Sequence, residues 1–162
     1  MWIVAIIGAG LITSVVQLAL QGFPDDHVVV LKTLLLGQFA VSHGIIAVLG
    51  FIINVLTPER TAAQLGWPSG PFQVKYGFAQ LGLGVIGVMA IWFHGNFWAA
   101  TLVTLYIYGL SGLWTHTQEI WRTHRRTGKI AWVEFGNIVL DVVYHVVLTI
   151  MSLQIPGVWS LS

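Results

Sequence analysis

Apolar residues recur along this chain in five stretches, at about residues 2–21, 30–56, 73–93, 97–120 and 131–153. Each exceeds the roughly 17–20 residues that a helix needs to cross a bilayer core. That pattern leaves little else for the chain to be. Composition agrees: 56% of the 162 residues are hydrophobic and 8% charged, against roughly 25% charged in soluble domains. The mean hydropathy is +0.82. The length suits one compact bundle and no second domain. The fold expected is therefore all-α, an integral membrane bundle of five transmembrane helices. The bilayer is its first partner.

Punctuation between the stretches fits. Gly22-Phe23-Pro24-Asp25-Asp26 ends the first, and His94-Gly95-Asn96 is a tight turn before the fourth, which is expected to run on to about Arg125. Pro156 and a short apolar tail follow the fifth. The longest loop opens with Thr57 as an N-cap and Pro58 as a first helical residue, so Glu59 to Leu65 reads as a short helix closed by Gly66. It should lie along the membrane surface before the rigid Trp67-Pro68-Ser69-Gly70-Pro71-Phe72 turn. Met1-Trp2-Ile3-Val4 has neither a basic region nor a small-x-small cleavage site, so the first stretch is expected to be a retained helix.

The basic residues predict an orientation. Arg60, Lys75, Arg122, Arg125, Arg126 and Lys129, six of the seven, fall on the side of the N-terminus, while Lys32 with Asp25 and Asp26 falls on the other. The positive-inside rule then puts the N-terminus in the cytoplasm and the C-terminus outside, in a cytoplasmic (inner) membrane. Trp67, Phe72, Tyr76, Trp114, Trp121 and Trp132 are expected to form the cytoplasmic aromatic belt. Phe23, Trp92, Phe93, Phe97, Trp98 and Trp159 form the outer one. Net charge is +1 and no basic patch extends beyond one loop, which argues against a nucleic-acid partner. With no cysteine, disulfides, thiolate metal sites, iron–sulfur clusters and c-type haem attachment are excluded.

The segment Gly66-Trp67-Pro68-Ser69-Gly70-Pro71-Phe72-Gln73, followed by a glycine-rich helix, resembles one found in uncharacterised small bacterial membrane proteins. Those proteins are loosely similar to the DoxX-like group. Such segments often carry an acidic residue shortly after the Gln, where this chain has Lys75. The resemblance implies a bacterial multi-helix membrane protein and carries no established activity.

In lipid, small and polar residues mark packed faces. Ala40, His43, Ala47, Gly50 and Asn54 make such a seam on the second span, and Gly77, Gln80, Gly84 and Gly87 on the third. Gly10, Thr13, Ser14 and Gln17 mark the first, and Thr101, Thr104, Tyr108, Ser111, Thr115, Gln118 and Arg122 the fourth. On the last span Asn137, Asp141, Tyr144, His145, Leu148 and Ser152 share one side. Asp141 would sit near the midplane, where a charge costs roughly 2.5–3.5 kcal/mol on insertion scales and marks a candidate functional site.

His43, Asp141 and His145 lie at one depth, because the second and last spans run from opposite sides. Imidazole and carboxylate suit Zn, Cu or Fe. Alternatively His43 and His145, with Tyr144 beside them, would hold a b-type haem. Asp141-x-x-x-His145 is similar to a metal motif of the membrane copper monooxygenases. A proton path through Asp141 and His145, or a hydrogen-bonded pair that only fixes helix register, also fits. Nearer the cytoplasm, His116, Glu119, Glu134 and Asn137 form a second polar cluster, most simply a solvated helix end. It is no di-iron site, since His116-x-x-Glu119 reverses the Glu-x-x-His order and occurs once. Arg122, His124, Arg125, Arg126 and Lys129 set topology and would attract anionic lipid. No phosphate loop, Gly-x-Ser-x-Gly elbow or His-Glu-x-x-His motif is present.

Three functions follow as expectations. The first is a membrane protein holding a metal ion or haem between the second and last spans, within a redox-active assembly. The second is a cofactor-free accessory subunit of a larger complex or a homo-oligomer. The third is a small proton or ion transporter.

Overall fold

The computed structural model describes residues 2–65 and 69–160. The expected turn at Gly66, Trp67 and Pro68, and with it the start of the resembling segment, lies outside the described residues. Among the described residues there is no strand.

Helix α1 (Trp2–Leu20) is followed by one continuous helix, His27–Leu56, that starts earlier than its hydropathy suggests. Asp26 explains the early start: its Oδ1 accepts the Val28 N–H at 2.8 Å and caps the first turn. The long helix is not uniform. It consists of α2 (His27–Gly37), a π-helical turn Gln38–Ser42, α3 (His43–Phe51) and a second π-helical turn Ile52–Leu56. Then come α4 (Pro58–Leu65), α5 (Pro71–Met89), α6 (Asn96–Thr127) and α7 (Trp132–Leu153). Helix α6 outruns its apolar stretch and stops at Gly128, whose left-handed φ of +69° lets its N–H close on the His124 carbonyl at 2.8 Å. His124, Arg125 and Arg126 in its last turn complement the helix dipole.

Among the described residues four segments are long and apolar enough to cross a membrane: Ile3–Leu20, His27–Leu56, Asn96–Thr127 and Trp132–Leu153. Helix α5 is not among them; Gln73, Lys75, Gln80 and its four glycines dilute its apolar residues. The outside of the bundle is apolar. Leu11, Ile12, Val15 and Val16 on α1, and Val142, Val143, Val146 and Ile150 on α7, are exposed. A contiguous surface of that kind marks contact with a nonaqueous partner.

The long helix is the axis of the packing. Helix α1 lies on α2 and the first π-turn, α5 lies on α3 and both π-turns, and α7 touches α2 and pairs with α6. Glycine permits the close crossings. A Cβ on Gly37 would collide with Ser14 Oγ and the Gly10 carbonyl, and one on Gly87 with the Phe39 carbonyl oxygen. The seams on the second and third spans are buried at His43, Ala47, Gly50 and Asn54 and at Gly77, Gln80, Gly84 and Gly87. On α1, Gly10 and Ser14 are buried while Thr13 and Gln17 face outward.

Helix α6 departs from expectation. Thr101 is buried, but Ser111, Thr115, Gln118 and Arg122 are exposed. Helix α6 packs chiefly on α7 and only lightly on α5. The Ser111 and Thr115 hydroxyls return to their own helix, on the Tyr108 carbonyl at 2.6 Å and the Gly112 carbonyl at 2.9 Å. The apolar core gathers at the opposite end, where Leu35, Phe39, Trp98, Leu102, Leu105 and Leu148 meet Ile155 and Val158 of the folded-back tail. Trp98, expected in the outer belt, belongs to that core; its Nε1–H donates to the Ala90 carbonyl at 2.9 Å.

Gly87→Ala should lower unfolding free energy in mixed micelles by about 1–3 kcal/mol, the usual cost of overpacking. Gly82→Ala, whose Cβ meets nothing within 4 Å, should leave stability equal or raise it by about 0.5–1 kcal/mol. Equal effects at the two positions would disprove the close α5 crossing.

Candidate functional site

The first π-turn creates the site. Its i to i−5 pattern sends the His43 backbone N–H to the Gln38 carbonyl. The His43 Nδ1 reaches the same oxygen at 2.8 Å. A carbonyl only accepts, so Nδ1 carries the proton, and in the neutral ring Nε2 carries the lone pair. The residue is 8% exposed, and among the described residues Nε2 has no hydrogen-bond partner. The ring lies against Tyr144 of α7, with centroids 5.9 Å apart.

The Gln38 side chain ties three helices together. Its Oε1 accepts the Tyr144 hydroxyl at 3.0 Å, and its Nε2 donates to the Ile7 carbonyl of α1 at 3.4 Å. The Ser42 hydroxyl lies 3.0 Å from both Gln38 Oε1 and the Ile6 carbonyl. Gln38 carried no weight in the sequence reading, yet it is the hub.

His145 is held differently. Its Nδ1 lies 2.8 Å from the Asp141 carbonyl and 3.2 Å from Asp141 Oδ1, so one N–H serves both oxygens. The far edge of the ring abuts α6 at Gly109, where a Cβ would stand 2.6 Å from Cε1 and 2.9 Å from Nε2. Tyr106 packs on the ring at 5.8 Å and its hydroxyl pairs with Thr149 Oγ1 at 2.6 Å. The Asp141 and His145 side chains are 30% and 18% exposed, turned into the bundle more than out of it.

The residues expected at the midplane thus form two neighbouring sets, His43 with Tyr144 and His145 with Asp141, joined by the Tyr144–His145 contact at 5.7 Å. Among the described residues no group of three or more His, Cys, Asp or Glu side chains is placed to hold a metal ion. The second cluster also divides. His116 Nδ1 pairs with Glu134 across the α6–α7 hairpin. Glu119 turns to Arg122 on its own helix, at 3.8 Å. Asn137 is half-buried, and its side chain has no hydrogen bond among the described residues.

A further polar network links the long helix to α5 and α6. Asn54 Nδ2 donates to Gln80 Oε1 at 3.0 Å, and Gln80 Nε2 to the Tyr108 hydroxyl at 2.6 Å. The Tyr76 and Tyr108 hydroxyls stand 2.9 Å apart, so Tyr76 serves this network rather than an isolated interfacial belt. Gln73 Nε2 reaches Asn54 Oδ1 at 3.4 Å, leaving Gln73 Oε1 buried without a partner among the described residues. Four amides inside apolar stretches, Gln38, Asn54, Gln73 and Gln80, were the signal available for both networks.

Fold and site together define a class: an all-α bundle with helices long and apolar enough to cross a membrane, enclosing paired polar networks. Within that class, the chain belongs to DUF6790, a family of unknown function whose model matches residues 1–155. No curated protein and no solved structure matches it.

Tyr144→Phe should cost about 0.6 kcal/mol of stability, the average for an interhelical hydrogen bond in lipid. Gln38→Leu should cost more, because it removes the α1 and α7 bridges together and strands the Tyr144 hydroxyl. Reversible unfolding in detergent measures both; a Gln38→Leu loss no larger than that of Tyr144→Phe would refute the hub.

Proposed function

We propose that this chain is an integral protein of a bacterial inner membrane. It crosses the bilayer five times, with the N-terminus cytoplasmic and the C-terminus outside. Six of the seven Lys and Arg residues on one set of loops support that orientation. Helix α5 is counted as a span because it runs 19 residues and packs along α3 and both π-turns.

Its function, in this reading, is to hold a b-type haem or a transition-metal ion at His43, between the second and last spans, as part of a redox-active assembly. One observation carries it: a buried imidazole whose Nδ1–H is fixed on a backbone carbonyl and whose Nε2 lone pair has no partner among the described residues. Among the described residues the buried side-chain atom without a partner is Gln73 Oε1, so the unpaired His43 Nε2 is left accessible to a ligand. An Nδ1–H anchored on a carbonyl is also how metal-ligating histidines are oriented. Haem is favoured over a bare ion because the porphyrin brings four nitrogens and asks the protein for one or two imidazoles. A zinc site would ask for three or four side chains. His145 would serve as second ligand only by leaving its seat between Asp141 and Gly109, so His43 carries this reading, with Tyr144 beside it.

A second reading is a cofactor-free accessory subunit, alone or as a homo-oligomer. It is favoured by the His145 ring seated against Gly109, a contact that locks α7 onto α6 with no ligand required.

Absorption spectra and elemental analysis of the detergent-purified protein separate the two. The haem reading expects a Soret band that is lost in His43→Ala with the far-UV helix signal retained. The ion reading expects a stoichiometric metal that falls in His43→Ala and in Asp141→Asn. Neither signal in the wild-type protein would overturn the cofactor reading and leave the accessory subunit.

A further inference from the structure

The polar network between the long helix, α5 and α6 has a direction, and a backbone carbonyl fixes it. Asn54 Nδ2 lies 2.8 Å from the Gly50 carbonyl, which only accepts, so that atom is the amide nitrogen. Its two hydrogens are spent on Gly50 and on Gln80 Oε1. Asn54 Oδ1 is then the acceptor for Gln73 Nε2, and Gln80 Nε2 is the donor to the Tyr108 hydroxyl at 2.6 Å. Every bond points one way, from Gln73 through Asn54 and Gln80 to the tyrosines. Gly50 makes room for the run, since a Cβ there would collide with Gln80 Oε1.

A directed run leaves a surplus at each end. At its head the Gln73 carbonyl oxygen is buried without a partner among the described residues. At its tail the Tyr76 and Tyr108 hydroxyls share one contact of 2.9 Å, which can hold only one of their two hydrogens. A hydroxyl that accepts also donates more strongly. Gln80 Nε2 stands 2.6 Å from Tyr108 and 3.5 Å from Tyr76, so Tyr108 gives its hydrogen to Tyr76. The Tyr76 O–H is left over, and no acceptor meets it among the described residues. Tyr76 is also the reachable ring, 37% exposed. The head is enclosed, so only the tail can take a ligand.

Depth and charge say which kind. Tyr76 stands five residues inside the start of α5, about 7.5 Å along the axis, and Tyr108 six residues, about 9 Å, inside Trp114. With α5 as a span, both hydroxyls lie below the headgroups, where hydrocarbon accepts nothing. None of the five side chains carries a charge, so the acceptor that suits them is neutral. We propose that the Tyr76 hydroxyl binds the carbonyl oxygen of a hydrocarbon-soluble ligand, a quinone head or a lipid ester. The inference rests on the reading of α5 as a span and on nothing at His43.

The test uses the full-length protein in nanodiscs of ether-linked phosphatidylcholine, which carries no carbonyl. The readout is the infrared phenol C–O stretch of isotopically labelled tyrosine. The probes are decylubiquinone and exchange to ester-linked phosphatidylcholine. A shift with decylubiquinone supports the proposal and assigns the site to a quinone head; a shift with ester lipid alone supports it and assigns the site to a lipid. Either shift should vanish in Tyr76→Phe, which keeps the ring, and persist in Tyr106→Phe, whose hydroxyl pairs with Thr149. A quinone held there should bind Tyr76→Phe about two- to tenfold more weakly, the scale of one hydrogen bond. Neither shift, or one undiminished in Tyr76→Phe, overturns the site. The chain has no cysteine, so Ala79→Cys, at an exposed position further along α5, checks the span separately. It should resist a water-soluble maleimide; labelling would overturn the span and the proposal with it.

Discussion

A helix in lipid must satisfy its polar groups within the protein, because hydrocarbon offers them nothing. The Gln38 carbonyl shows how much structure that demand can organise. A π-turn is a defect in helical bonding, and it survives here because the carbonyl at its start accepts twice, from the His43 backbone and from the His43 ring. The same turn projects the Gln38 side chain sideways to meet Tyr144 of α7 and the Ile7 carbonyl of α1. One irregular turn thus fixes the axial positions of three helices. Ordinary α-geometry would relieve the irregularity and break the bridges.

The bundle that results is asymmetric along its axis. At the end where the tail folds back, Leu35, Phe39, Trp98, Leu102 and Leu148 close into a core with Ile155 and Val158. Toward the other end α6 and α7 keep each other's company and only brush α5. There the polar groups are answered locally, by helix carbonyls for Ser111 and Thr115, by each other for His116 and Glu134, and by Arg122 for Glu119. Shared answers tie helices to one another, and local answers tie each helix only to itself or to its hairpin partner. The π-turn histidine sits between these two regimes.

The sequence makes some of this legible. Apolar length locates the helices to within a few residues, and a period of three and four picks out the buried faces of α3 and α5. It places Asp141, Tyr144, His145, Leu148 and Ser152 on the inner side of α7. What it misses follows from the same period. A 3.6-residue repeat steps back from His43 to Phe39 or Ala40, never to Gln38, because a spacing of five exists only in a π-turn. The α6 stripe fails for another reason: periodicity shows which residues share a face, and a polar face can bond to its own backbone instead of a neighbour. Pairing is the remaining blind spot. Equal depth groups His43, Asp141 and His145, but depth says nothing of azimuth, and Gly109 draws the His145 ring toward α6.

That difference in azimuth gives the two histidines different chemistry. His145 is occupied on both edges, by Asp141 on one and by the α6 backbone at Gly109 on the other, so moving it means unpacking two helices. His43 is fixed at Nδ1 and has no hydrogen bond at Nε2 among the described residues, so its ring is oriented from one side only. Register alone would be served by an apolar side chain or by an amide with both ends bonded, as Gln38 shows. The two imidazoles thus differ in what holds them: His145 by contacts at both edges, and His43 by one nitrogen, with the other free of any hydrogen bond among the described residues.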